Sequence, residues 1–149
     1  MNLKEKLHQL CLDIVNERNA NIQRNFASIQ EAMLSETKSS AGDKHETGRA
    51  MLQLEREKLG NQLLEIEKVT AILQKVNPTI TAKQGSLGAI IYTSQANYFI
   101  SVSVGEISAN NSTFYAIASN TPIGKLLLGK KVGDTVSFRE QVFVIEKVL

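Results

Sequence analysis

No proline occurs before Pro78, and on either side of the polar stretch "SAGDKHETGR", residues 40–49, apolar residues recur at helical spacing. From Leu3 to about Met33 the apolar positions are Leu3, Leu7, Leu10, Cys11, Ile14, Ile22, Phe26, Ile29 and Met33, a stripe broken only at Arg18. Steps of three and four predict one continuous amphipathic helix. From Ala50 to Val76, Leu52, Leu59, Leu63, Ile66, Val69, Leu73 and Val76 form a second stripe, with Glu55, Arg56, Glu57, Lys58, Glu65, Glu67 and Lys68 mostly off it. Gly60 is the weak point of that second run, costing about 1 kcal/mol relative to alanine. Two helices of about 30 residues reach about 45 Å, longer than a small core needs. A short polar link favours an antiparallel pair. The expected object is a coiled-coil finger with the quoted stretch at its tip, because nothing downstream is helical enough to complete a bundle.

The period changes after Val76. Asn77-Pro78 ends the helix, since proline disfavours helical geometry at the residue before it, and residues 79–88 are polar and glycine-containing. Short apolar runs follow at residues 89–92, 98–104, 114–118, 135–138 and 142–145, separated by Asn, Ser and Gly clusters. These read as strands, and their short spacing predicts antiparallel pairing. Residues 122–129 interrupt them as a short helix, with Thr121 as cap, Pro122 in the first turn and Gly129 at the exit. The expected architecture is therefore α+β: a helical hairpin over residues 1–76, and an α+β domain with an antiparallel sheet over residues 77–149.

Composition narrows the function classes. Seventeen basic and 15 acidic residues among 149 give a net charge of +2, too little for a general polyanion-binding coat. Cys11, the single cysteine, sits in the first apolar stripe and reads as a small buried hydrophobe. No apolar run approaches the roughly 20 residues of a membrane span. The chain is expected to be cytoplasmic, without a membrane partner, and monomeric.

Chemistry concentrates in the tip. Asp43 and Glu46 have the D-x-x-E spacing of a helix start, where the first can cap a backbone N–H and the second can reach back. The same spacing places both on neighbouring sides of one turn, open to a partner. Both readings stand. His45 has no second histidine or cysteine nearby with which to build a nitrogen or sulfur metal site, and Ser39, Ser40 and Thr47 belong to no triad pattern.

The string "IASNTPIGKLLLGKKVGDTVSF", residues 117–138, resembles the Gre-type bacterial transcript cleavage factors, whose segment reads approximately S-P-[IL]-G-[KR]-x-L-[LI]-G-[KR]-x-x-G-D-x-V. Thr121 replaces the serine. Pro122, Ile123, Gly124, Lys125, Leu127, Leu128, Gly129, Lys130, Gly133, Asp134 and Val136 all match. The resemblance implies an FKBP-like fold for the C-terminal half and a coiled-coil hairpin for the N-terminal half. Its tip pattern, G-D-x-x-E-N, corresponds here to Gly42, Asp43, Lys44, His45, Glu46 and Thr47, so the acidic tip spans residues 42–47.

The family likeness further implies a transcription elongation factor that enters the secondary channel of bacterial RNA polymerase. Asp43 and Glu46 would help hold a second Mg²⁺ and its water at the polymerase active site, where backtracked nascent RNA is cut near its 3′ end. The chain would then be an accessory factor rather than an enzyme, with no cofactor of its own and Mg²⁺ shared with the polymerase. Two carboxylates on an exposed turn make a poor Mg²⁺ site alone, so little binding is expected in the free protein.

Thr47, Gly48, Arg49 and Ala50 depart from the Asn, acid and aromatic usual after the glutamate, and Lys44 stands at an often apolar position. Lys44, His45 and Arg49 are candidate contacts to RNA or polymerase, or simply solvated residues. Three other functions compete. A regulator of the same shape would occupy the channel without promoting cleavage. A prolyl isomerase would need an aromatic-lined pocket, which a chain without tryptophan does not advertise. A coiled-coil adaptor would dimerise through exposed stripes.

Overall fold

The structure, a computed structural model, describes the backbone of residues 1–38 and 42–149, and the side chains of these except 37, 38 and 42–45. The two helical patterns form α1 (Leu3–Lys38) and α2 (Gly42–Lys75). α1 begins at Asn2 through a reciprocal bracket: the Glu5 N–H donates to Asn2 Oδ1 at 2.8 Å, and Asn2 Nδ2 donates to Glu5 Oε1 at 2.9 Å. One otherwise orphaned donor of the first turn is thereby satisfied. After α2, Asn77 closes an Asx turn, its Oδ1 accepting from Thr79 N at 3.0 Å and Thr79 Oγ1 at 2.6 Å.

The chain divides into two compact units: Val15–Lys68, and Met1–Ile14 together with Val69–Leu149. Both cuts fall within the long helices. In the first unit Arg18, Asn21 and Ile22 of α1 stand beside Gln62, Glu65 and Ile66 of α2, then Phe26, Gln30 and Met33 beside Arg56, then Glu36 beside Gly48. Partner numbers fall as α1 advances, so the helices run antiparallel. Val15, Ile22 and Leu59 are buried between them. Val15 also resolves the interruption at Arg18: it lies four residues after Cys11 and seven before Ile22, so the stripe passes through it while Arg18 stays exposed.

The second unit holds the sheet. Its strands are β1 (Ile90–Thr93), β2 (Asn97–Ser101), β3 (Gly105–Ala109), β4 (Ser112–Ala118), β5 (Thr135–Phe138) and β6 (Gln141–Val148), with α3 (Pro122–Leu127) between β4 and β5. Their order is β3-β4-β2-β1-β6-β5. The sheet is mixed, not antiparallel as the short spacings suggest: β2 pairs with β4 in parallel, Tyr98 opposite Tyr115 and Ile100 opposite Ile117. The reason lies in residues 102–105. Val104 N donates to Val102 O at 3.1 Å in a tight turn, and Gly105 takes φ 87°, so the apolar run at 98–104 breaks after Ser101. The chain then runs along the edge as β3 and returns as β4, which inserts between β3 and β2.

Both faces of the sheet are covered. On one, Ile91, Ile100, Val136, Phe143 and Ile145 surround Leu127 of α3, with Ile123 and Phe138 packed against them. On the other, Ile90, Phe99 and Phe114 are fully buried, and the thiol of Cys11 in α1 meets the hydroxyl of Ser101 at 3.9 Å. His8 ties the helices together in this unit, its Nε2 within 2.8 Å of Leu73 O.

Candidate functional site

The tip residues occupy the first turns of α2. Its helical backbone begins at Gly42, so Asp43, Lys44 and His45 fall within that first stretch; their side chains lie outside the described residues. Glu46, Thr47 and Arg49 are exposed. Among the described residues, no three metal-ligating side chains come together. An exposed Glu46 supplies hard oxygen ligands of the kind Mg²⁺ takes, but not the six that its octahedral shell needs.

One contact near the tip is invisible to pattern reading. The Glu36 carboxylate lies over Gly48, where an added Cβ would stand 2.9 Å from Oε1 and 3.0 Å from Cδ. A glycine inside a helix, where alanine would be favoured by about 1 kcal/mol, is the signal that would have found it.

The segment 117–138 is described throughout, and nearly every distinctive residue in it has a local task. Thr121 Oγ1 accepts from Gly124 N at 3.1 Å and donates to Ala118 O at 2.7 Å, capping α3 and tying it to β4. Pro122 follows where its missing N–H is harmless. A β-carbon on Gly124 would overlap the Ala118 carbonyl. Gly129 and Gly133 sit at φ 78° and 93°, conformations that favour glycine. Asp134 Oδ2 accepts from Lys131 N at 2.8 Å, closing the turn into β5.

The polar stretch 79–88, read from the sequence as a boundary, is fastened to this segment. Gly85 N donates to Lys130 O and Gly129 N donates to Gly85 O, each at 2.8 Å. A side chain on Gly85 would overlap the Leu127 carbonyl. Lys125 and Lys131 are exposed and Lys130 is half-buried.

Burial perturbs four titratable groups among the described residues: Lys4, Cys11, Tyr98 and Tyr92, the last raised by desolvation. The amine of Lys4, buried beside the Ile80 carbonyl it donates to at 2.6 Å, is pushed below its ordinary pKa by desolvation. The Cys11 thiol is pushed up to about 11 for the same reason. Tyr98 is raised by burial and then by neighbouring Tyr115, whose ring centre lies 6.2 Å away. Phe143 flanks Tyr98 on its other side at 6.4 Å. The aromatic side chains thus gather on the sheet more closely than their spacing in the sequence suggests. No helix among the described residues is long and apolar enough to cross a membrane.

No protein-family model matches the chain, and no curated protein matches it. Among solved structures it is similar to the GreA factor homolog 1 (Gfh1) protein of Thermus thermophilus, at 17% identity over 95% of this chain and 94% of that one, with a TM-score of 0.34. It is similar also to a structure of the transcription factor Gfh1 at 16% identity, 95% and 92% coverage and TM-score 0.34. For Gfh1 of Thermus aquaticus the values are 17%, 94% and 92%, and 0.33. TM-scores of this size do not establish a shared fold.

Proposed function

We propose that this chain is a Gre-type transcription factor that binds bacterial RNA polymerase through its secondary channel and stimulates cleavage of backtracked RNA. The observation that supports it is the motif over residues 117–138. Its cap, its close-approach glycine, its two positive-φ glycines and its turn-closing aspartate occupy the local geometry that each residue type is suited to. A likeness built from such requirements is not one of composition alone, and it comes with two long antiparallel helices ahead of the sheet.

In this reading Asp43 and Glu46 assist the polymerase. Mg²⁺ bound in the complex would supply Lewis acidity, easing deprotonation of the attacking water and offsetting charge on the cleaved phosphate. The chain's own contribution is to carry two carboxylates on the first turns of a helix and orient them toward a site completed by polymerase groups and RNA phosphate. Hydrolysis belongs to the polymerase, so the chain is an accessory factor.

The test uses backtracked elongation complexes with the full-length chain and its Asp43→Asn/Glu46→Gln variant. Stimulated cleavage should fall by about two orders of magnitude, the scale of losing a transition-state charge contact, while polymerase binding persists. Equal cleavage by both proteins would remove the catalytic assignment. A second reading, channel occupation without cleavage, is favoured by one observation: Lys44 and Arg49 bring two cations close in sequence to the acids. It predicts polymerase binding by the wild type with no added cleavage.

A further inference from the structure

Two hairpins of the sheet close through two-residue loops with positive φ at both central residues. Between β3 and β4, where Ala109 pairs with Ser112, the loop is Asn110–Asn111 at φ 52° and 61°. Between β5 and β6, where Phe138 pairs with Gln141, it is Arg139–Glu140 at φ 50° and 65°. Type I′ turns demand this geometry and are best served by Asn and Gly. For Arg and Glu the left-handed region brings Cβ against the carbonyl oxygen, so the second loop is strained where the first is not.

No stabilising contact of Glu140 offsets that strain. Arg139 and Glu140 are exposed, and neither makes a side-chain hydrogen bond or ion pair among the described residues. Arg139 has one arrangement of note: its Cζ lies 4.9 Å from the centre of the Phe138 ring. Phe138 in turn packs against the sheet core, so the ring is an anchored platform. A guanidinium laid on an aromatic face is held in orientation while its N–H edge stays free for bidentate contact with an anion.

Strained, non-glycine backbone is a feature from which function can be inferred. We propose that Arg139 is a recognition residue for a carboxylate of a partner protein; resting on the reading above, that carboxylate belongs to an acidic side chain on the surface of RNA polymerase. A carboxylate fits better than a nucleic-acid phosphate. Glu140 stands next to Arg139, and beyond Val76 six basic residues face four acidic ones, so no broad field for a polyanion exists there.

The test compares the full-length chain with Arg139→Asn/Glu140→Gly and Arg139→Lys for binding to core RNA polymerase, with thermal unfolding measured in parallel. The double variant relaxes the turn, so its Tm should rise by about 3–6 °C, while its affinity falls about tenfold. Arg139→Lys should bind with intermediate affinity, because it keeps the charge and loses the fork. A double variant with unchanged affinity, or with a lowered Tm, overturns the proposal and leaves the turn purely structural. Competition by a single-stranded RNA oligomer for the wild type but not for the double variant overturns the carboxylate assignment in favour of phosphate. Failure of the wild type itself to bind polymerase overturns the functional reading and this partner with it, a result distinct from equal binding by wild type and variant.

Discussion

The carboxylate of Glu36 lies flat over the Cα of Gly48, with Oε1, Cδ and Oε2 all within 3.1 Å of where a β-carbon would be. The obstacle is the far end of a flexible side chain rather than backbone. Gly48→Ala should therefore displace Glu36 and still gain helix propensity, stabilising the hairpin by up to about 1 kcal/mol. Thermal unfolding followed by circular dichroism measures it. A loss of stability would mean that Glu36 cannot move aside.

Gly85 is the opposite case. The atom in the way is the Leu127 carbonyl, and the neighbouring backbone is fixed by hydrogen bonds to Lys130 and Gly129. Gly85→Ala should cost about 3 kcal/mol or more by overpacking. Gly60→Ala, in α2 with nothing within 4 Å of the added carbon, should instead gain about 1 kcal/mol. Urea denaturation of the pair would show shifts of opposite sign; similar shifts would refute the close approach at Gly85.

The Thr121 hydroxyl both caps α3 and donates to Ala118 O. Removing it in Thr121→Ala should destabilise the chain by about 1 kcal/mol, whereas Thr121→Ser should be close to neutral. If serine does no better than alanine in equilibrium unfolding, the cap is not what the residue contributes.

Burial raises the Cys11 thiol from 9.0 to about 11, with the Ser101 hydroxyl pulling weakly the other way. The folded state therefore holds this proton more tightly than the unfolded state does. The associated stability is fully present below pH 9.0 and is lost as pH rises toward 11, reaching a deficit on the order of 2 kcal/mol near pH 10.5. Denaturation at pH 8 and pH 10.5 should show this loss in the wild type and a smaller one in Cys11→Ala. Equal losses would assign the pH dependence to other groups.

Mg²⁺ added to the free chain should produce little heat in titration calorimetry and little change in Tm, because two carboxylates leave most of an octahedral shell to water. Tight binding in isolation would contradict a site completed by the polymerase.

Much of the architecture was legible because its signals are local. Thr121, Pro122 and Gly129 marked α3 through capping and turn chemistry, and the stripes through Leu7, Ile22, Leu59 and Leu73 marked both long helices through period. β3 was missed because Gly105–Ala109 buries only Ile107 fully, too little for a strand signal, while the apolar residues 102–104 form a turn. Parallel pairing of β2 with β4 was equally hidden, since pairing partners far apart in the chain leave no mark in either strand. At the tip, a motif singles out Asp43 and Glu46 as candidates but gives no sign of Glu36, since its relation to Gly48 exists only across two helices.

The sequence by itself determined that two long helices precede Pro78 and that an α+β domain follows it, although α1 runs past its expected end near Met33 to Lys38 and α2 starts at Gly42 rather than Ala50. Those properties follow from interactions within a few residues, such as caps, turns and amphipathic period. Only the tertiary structure decided that the polar stretch around Gly85 clasps the exit of α3, that β4 inserts beside β2, and that Arg139 rests on Phe138 above a strained turn. Each of these depends on close packing between segments or on backbone dihedral angles imposed by strand register, and neither quantity is written in local residue order.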